Sequence, residues 1–131
     1  MIINLDWVLN KSQLIQRTRK TNYEVFHILV IDKKGKIKPL YTVDNNNNGR
    51  VNHVAPPKDL TSLKKKYDEA DAIAAIWVHN HPRGYFDTFT VDDIATFNKY
   101  REAYREKGMN LLDLLVVSEK THYSLYQLQY I

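Results

Sequence analysis

The 131 residues suffice for one compact domain with one core and are too few for two ordinary ones. At 44% apolar and 26% charged residues the composition is that of a soluble globular chain rather than a disordered one, and no window holds the uninterrupted apolar run that crosses a bilayer. A net charge of +4 leaves contact with nucleic acid or an acidic protein open, whereas the absence of cysteine excludes disulfides, thiolate nucleophiles and cysteine-based zinc sites, the zinc nucleobase deaminases among them.

In chain order, Met1-Ile2-Ile3-Asn4 has neither the basic region nor the cleavage site of a signal peptide, so a cytoplasmic location is expected. Residues 10–20 read as a short helix, with Asn10 or Ser12 as N-cap and Leu14 and Ile15 inward. Residues 22–32 are rich in β-branched and aromatic types and predict a buried strand. A tight turn at Lys33-Lys34-Gly35-Lys36 returns the chain into a second strand over 36–43. The asparagine-rich segment from Asp44 to Gly49 predicts a hairpin loop, followed by a short strand at 50–54. Pro56-Pro57 then introduces a helix over about 58–70, proline being suited to a first helical turn.

The continuous apolar run from Ala72 to Val78 has the character of a central strand covered on both faces. After a loop at 79–89, Thr90 opens a helix, because Thr-x-x-Asp approximates a capping box and Asp92 and Asp93 favour the positive helix end. Ile94, Phe97, Tyr100 or Arg101, and Tyr104 follow helical spacing, and Gly108 provides a C′ stop. Leu111 to Val117 and His122 to Leu128 complete a pair of strands. Strands alternating with helices, then a hairpin, predict a single domain over 1–131 with a mixed sheet and helices packed on it.

Chemistry is concentrated in Val78-His79-Asn80-His81-Pro82-Arg83-Gly84, with Thr90-Val91-Asp92-Asp93 following. Side chains at i and i+2 of a strand share a face, so His79 and His81 can converge on one metal ion, with a carboxylate of the next element closing the site. Three protein ligands with an open fourth position describe catalytic zinc. By the same alternation Asn80 points away and reads as structural. The basic clusters Arg17-Arg19-Lys20, Lys33-Lys34-Lys36 and Lys64-Lys65-Lys66 are scattered, as on a solvated surface.

His-x-His-Pro-x-Gly, a loop, then Ser/Thr-x-x-Asp opening a helix resembles the JAB/MPN (JAMM) metallopeptidase family, and most of all its RadC-like bacterial branch. That branch typically reads His-Asn-His-Pro-Ser-Gly and then Ser-x-x-Asp-Ile. Here the residues are His79-Asn80-His81-Pro82-Arg83-Gly84 and Thr90-Val91-Asp92-Asp93-Ile94. Glu24-Val25-Phe26, Pro57-Lys58-Asp59-Leu60, Leu111-Leu112-Asp113 and Tyr123-Ser124 extend the similarity over roughly residues 22 to 128. The resemblance implies a three-layer α/β/α fold with a mixed sheet, the JAB/MPN (cytidine-deaminase-like) architecture. It also implies a zinc-dependent peptidase or isopeptidase acting on a protein or peptide substrate, such as the C-terminal tail of a ubiquitin-like or sulfur-carrier protein. The helical region that precedes this domain in full-length RadC proteins has no match here.

Carried over residue by residue, the resemblance assigns His79 and His81 as metal ligands and Glu24 as the acid–base residue that takes a proton from metal-activated water. Thr90 takes the place of a serine whose hydroxyl donates to the developing oxyanion, a use that competes with N-capping. The third ligand is open between two neighbours. Counting from His81 at the family's common spacing gives Asp92. Aligning Thr-x-x-Asp-Ile gives Asp93, preferred because the cap sets the helix phase; Asp87 is a weaker candidate. Two other functions stay in view: a DNA-associated protein, supported by the basic balance alone, and a catalytically silent MPN interaction scaffold.

Overall fold

The computed structural model describes residues 13–44, 56–81, 90–119 and 121–126. The expected caps Asn10 and Ser12, the asparagine-rich loop beyond Asp44, the strand at 50–54, Asp87 and the end of the last strand lie outside the described residues.

Helix α1 (Gln13–Arg19) buries Ile15 and Thr18. Strand β1 (Val25–Asp32) is buried along its whole length, whereas β2 (Ile37–Asp44) is only half covered. Edge position explains the proline in β2: the register slips between Ile28 and Leu29, opposite Tyr41 and Pro39. Pro39 has no N–H to donate and is tolerated at such an edge irregularity. Gly35, at φ 79°, supplies the left-handed residue of the intervening turn.

Helix α2 (Leu60–Glu69) starts later than the proline pair suggested. The Asp59 carboxylate accepts the Ser62 N–H at 3.0 Å and so is the N-cap, leaving Pro56-Pro57 ahead of the helix rather than in its first turn. Strand β3 (Ala72–Asn80) follows, then α3 (Val91–Glu106), β4 (Leu111–Val117) and the short β5 (His122–Ser124). Gly108, at φ 78°, follows the C-cap Lys107 and ends α3 as expected.

The sheet order is β2-β1-β3-β4-β5, with β3 and β4 parallel and the other neighbours antiparallel. The mixed sheet is covered on both sides, giving the three layers that the sequence predicts. Ile15 of α1 packs on one face with Leu29, Ile31, Ile76, Val78, Leu115 and Val117. Leu63 and Tyr67 of α2 and Phe97 and Tyr104 of α3 cover the other, over Phe26, Ile28, Ala75, Trp77 and Leu114. Among the described residues no helix is long and apolar enough to cross a membrane.

Trp77 links this packing to the chemistry. Its ring meets Phe26 edge-on at 5.1 Å and Phe97 at 5.6 Å, and its Nε1 donates to the Tyr104 hydroxyl at 3.3 Å. Trp77 lies two residues before His79 on the same strand face, and Phe97 lies one helical turn after Asp93. The aromatic contact therefore fixes the start of α3 over the end of β3. Such ring pairs contribute about 0.5–1.5 kcal/mol each beyond area burial.

Candidate metal centre

Strand β3 ends in His79 and Asn80, and α3 begins at the N-cap Thr90, so the termini of two packed elements meet at one place. Strand alternation holds here: His79 shares the α3 side with Trp77, and its Nε2 lies 2.9 Å from Nε2 of His81. The two rings stand nearly perpendicular, with centroids 4.6 Å apart.

Asp93 closes the group. Its Oδ1 is 3.7 Å from His79 Nε2 and its Oδ2 is 3.4 Å from His81 Nε2. One donor atom from each of His79, His81 and Asp93 falls within 4.8 Å of the others. Asp92, one residue earlier, is exposed and takes no part. Helix phase sets which neighbour faces the histidines: Thr90 Oγ1 accepts the Asp93 N–H at 3.0 Å, and Asp93 Oδ2 accepts the Thr90 N–H at 2.9 Å. This reciprocal capping box turns Asp93 back over the helix N-terminus, toward the histidines.

Burial alone would raise the Asp93 carboxyl. The hydrogen bond from His81, the Thr90 amide and the nearby imidazoles outweigh it and hold the group at about 2. An anionic carboxylate beside two imidazoles is a donor set that suits zinc or a similar divalent metal, so the residues fit the ion that their spacing suggests.

Glu24 stands just before β1. The β1–β3 register pairs Phe26 with His79 and so sets Glu24 beside the histidines, with Oε1 3.4 Å from His79 Nδ1. Burial pushes its carboxyl up to about 7, the charge of His81 opposes that shift, and the Asp93 carboxylate adds to it. Sequence reasoning proposed Glu24 as a proton carrier but missed this placement against His79. The residue types contain no signal for it, because the strand register decides it.

Thr90 is the N-cap of α3. Capping and donation were expected to compete, yet the cap uses the hydroxyl oxygen as an acceptor, which leaves the O–H able to donate. Asn80 turns to the opposite face, as alternation predicts, and its carboxamide bonds to backbone of Tyr23, just before β1, and of Val25, the first residue of β1. A buried amide between two candidate ligands was the available sign that it has partners of its own. His27 is buried between Thr18 and Thr42, away from the centre, and His122 is exposed; His53, Pro82, Arg83 and Gly84 lie outside the described residues.

A family model described as a RadC-like JAB domain matches residues 8–130. This chain belongs to that family. The RadC-like JAB domain is also similar to a UPF0758 protein of Coprothermobacter proteolyticus, 29% identical over 102 residues, which are 78% of this chain and 41% of the relative. A UPF0758 protein of Rhodobacter capsulatus is 35% identical over 96 residues, 73% of this chain and 42% of the relative. One from Shewanella pealeana is 28% identical over 113 residues, 86% of this chain and 47% of the relative. The JAB domain thus spans less than half the length of the curated relatives it matches.

Proposed function

We propose that this RadC-like JAB domain is a zinc-dependent amide hydrolase, a JAMM-type peptidase or isopeptidase working in the cytoplasm. The observation that carries the reading is the convergence of His79 Nε2, His81 Nε2 and the Asp93 carboxylate at the meeting of two element ends. Those three side chains would hold the zinc. Zinc bound by two imidazoles and a carboxylate supplies Lewis acidity, polarising an amide carbonyl and making water more acidic.

Glu24 moves the proton. Glu24 stands against the ligand His79, so it accepts the proton from the attacking water and gives it to the leaving amine. Its Oε1 faces His79, which leaves Oε2 for that transfer. Thr90, fixed by the capping box, donates its O–H to the developing oxyanion. The proposed substrates are amide bonds at the C-terminal tail of a ubiquitin-like protein, a class supported by family resemblance.

The test is elemental analysis of protein purified without added metal, beside His79→Ala and Asp93→Ala. About one zinc per chain, lost in both variants, is expected. No zinc, with none taken up on reconstitution, would remove the hydrolase reading and leave a scaffold or nucleic-acid role.

A further inference from the structure

Asn80 sits between the two histidines in sequence, is 2% exposed, and directs its carboxamide to the other side of the sheet. Its Oδ1 accepts the Val25 N–H at 2.7 Å, and its Nδ2 donates to the Tyr23 carbonyl at 3.0 Å. The carbonyls of Thr18 and Thr21 lie 3.4 Å from the same nitrogen. Tyr23 C=O and Val25 N–H are the backbone groups on either side of Glu24. Only a group with both an acceptor and donors at this length can hold the two together, which an aspartate or a leucine cannot do.

We propose that Asn80 is the positioning residue for Glu24, clamping the backbone on both sides of it to the end of β3 so that its carboxylate stays against His79. The proposal rests on the reading of His79, His81 and Asp93 as the metal centre with Glu24 beside it. Glu24 needs such a tether because it precedes β1, and the ladder to β3 begins only at the pair Phe26 and His79. A carboxylate costs free energy to bury, and without a tether the segment would relax toward water. Because Asn80 is covalently placed between the two histidines, the clamp puts Glu24 and the ligands in one rigid frame. A carboxylate partner on a ligating histidine orients the ring and raises metal affinity.

Asn80→Ser, which removes the carboxamide, and Asn80→Asp, which keeps an acceptor for Val25 but has no donor for Tyr23, are compared with Glu24→Gln and with Asn80→Ser/Glu24→Gln. The readouts are crystal structures and Zn2+ affinity measured by competition with a chromophoric chelator. In the Asn80 variants the Glu24 carboxylate is expected to leave His79 Nδ1, while His79, His81 and Asp93 keep their mutual distances. Zinc affinity is expected to fall about tenfold, as on loss of a ligand's carboxylate partner, and to fall no further when Asn80→Ser is added to Glu24→Gln. Glu24 remaining against His79 would overturn the proposal, as would an equal loss of affinity from Asn80→Ser in both backgrounds. Failure of both Asn80→Ser and Asn80→Asp to fold would assign Asn80 to the fold alone and overturn it too. Should the wild type take up no zinc, the metal-centre reading falls, and the position of Glu24 in the variant structures still decides the role of Asn80.

Discussion

Asp93 performs two tasks that substitution can separate. Its Oδ2 closes the capping box on the Thr90 N–H at 2.9 Å, and the same carboxylate faces both histidines. Asp93→Ala removes one of two reciprocal cap bonds and a charge at the positive helix end, a loss of about 1 kcal/mol. For a domain of this size that lowers Tm by on the order of 4 °C. Asp93→Asn retains an oxygen acceptor for Thr90 and so most of that stability, but offers no anionic ligand. Asp92→Ala removes only an exposed carboxylate, worth a few tenths of a kcal/mol. The assay pairs thermal melts in chelator at about pH 8, where ordinary imidazoles are neutral, with zinc content after metal loading. We expect Asp93→Ala to lose stability and zinc, Asp93→Asn to lose zinc alone, and Asp92→Ala to keep both. Zinc retained by Asp93→Asn but lost by Asp92→Ala would refute the assignment. Equal destabilisation by Asp93→Asn and Asp93→Ala would refute the account of the cap.

Glu24 makes metal-free stability fall as pH rises. Its carboxyl is raised from 4.5 to about 7 in the folded state, so its contribution is intact below 4.5 and lost through 7. The integrated effect is roughly 3 kcal/mol, and subtracting denaturation curves of Glu24→Gln from wild type between those limits should show it; parallel curves would contradict the burial argument. His27 has the opposite dependence. Burial, with the charge of Arg17 adding to it and Asp44 opposing, lowers the imidazole from 6.5 to about 4, so its contribution is present above 6.5 and lost as pH falls toward 4. Thr18 Oγ1 gives its proton to the Leu14 carbonyl and so accepts from His27 Nε2–H, while Thr42 donates to Nδ1. Nitrogen-15 NMR should find that neutral tautomer still populated at pH 5, and a cationic ring there would overturn the reading. Trp77→Phe keeps an aromatic ring over Phe26 and Phe97 but leaves the Tyr104 hydroxyl without the indole donor, at a cost of about 1–3 kcal/mol; a chemical denaturation midpoint equal to that of wild type would contradict the role given to this bond.

The pattern of local residues made most of the architecture legible. Eight consecutive buried positions in β1, the apolar run of β3, the Thr90 cap and the Gly108 stop each state their conformation within a few residues. The His-x-His pair is legible for a related reason, since the alternation of β3, carried one residue past its end at Asn80, brings both rings to one side. The start of α2 was misjudged because Pro56-Pro57 and Asp59 both signal a helix beginning, and the side-chain bond from Asp59 to Ser62 N–H settled which of them caps it.

Spacing within one strand or one turn thus determined the histidine pair, the capping box and the helix limits, because those interactions reach only three or four residues along the chain. Tertiary structure decided the rest. Glu24 and Asn80 each lie about 55 residues from their own partners, Glu24 meeting His79 and Asn80 meeting Val25 across a separation of 55. That meeting depends on the register of β1 against β3, and the approach of Asp93 depends on Phe97 packing against Trp77. Such placements follow from the summed packing of a whole sheet and its covering helices, and no short run of residues encodes them.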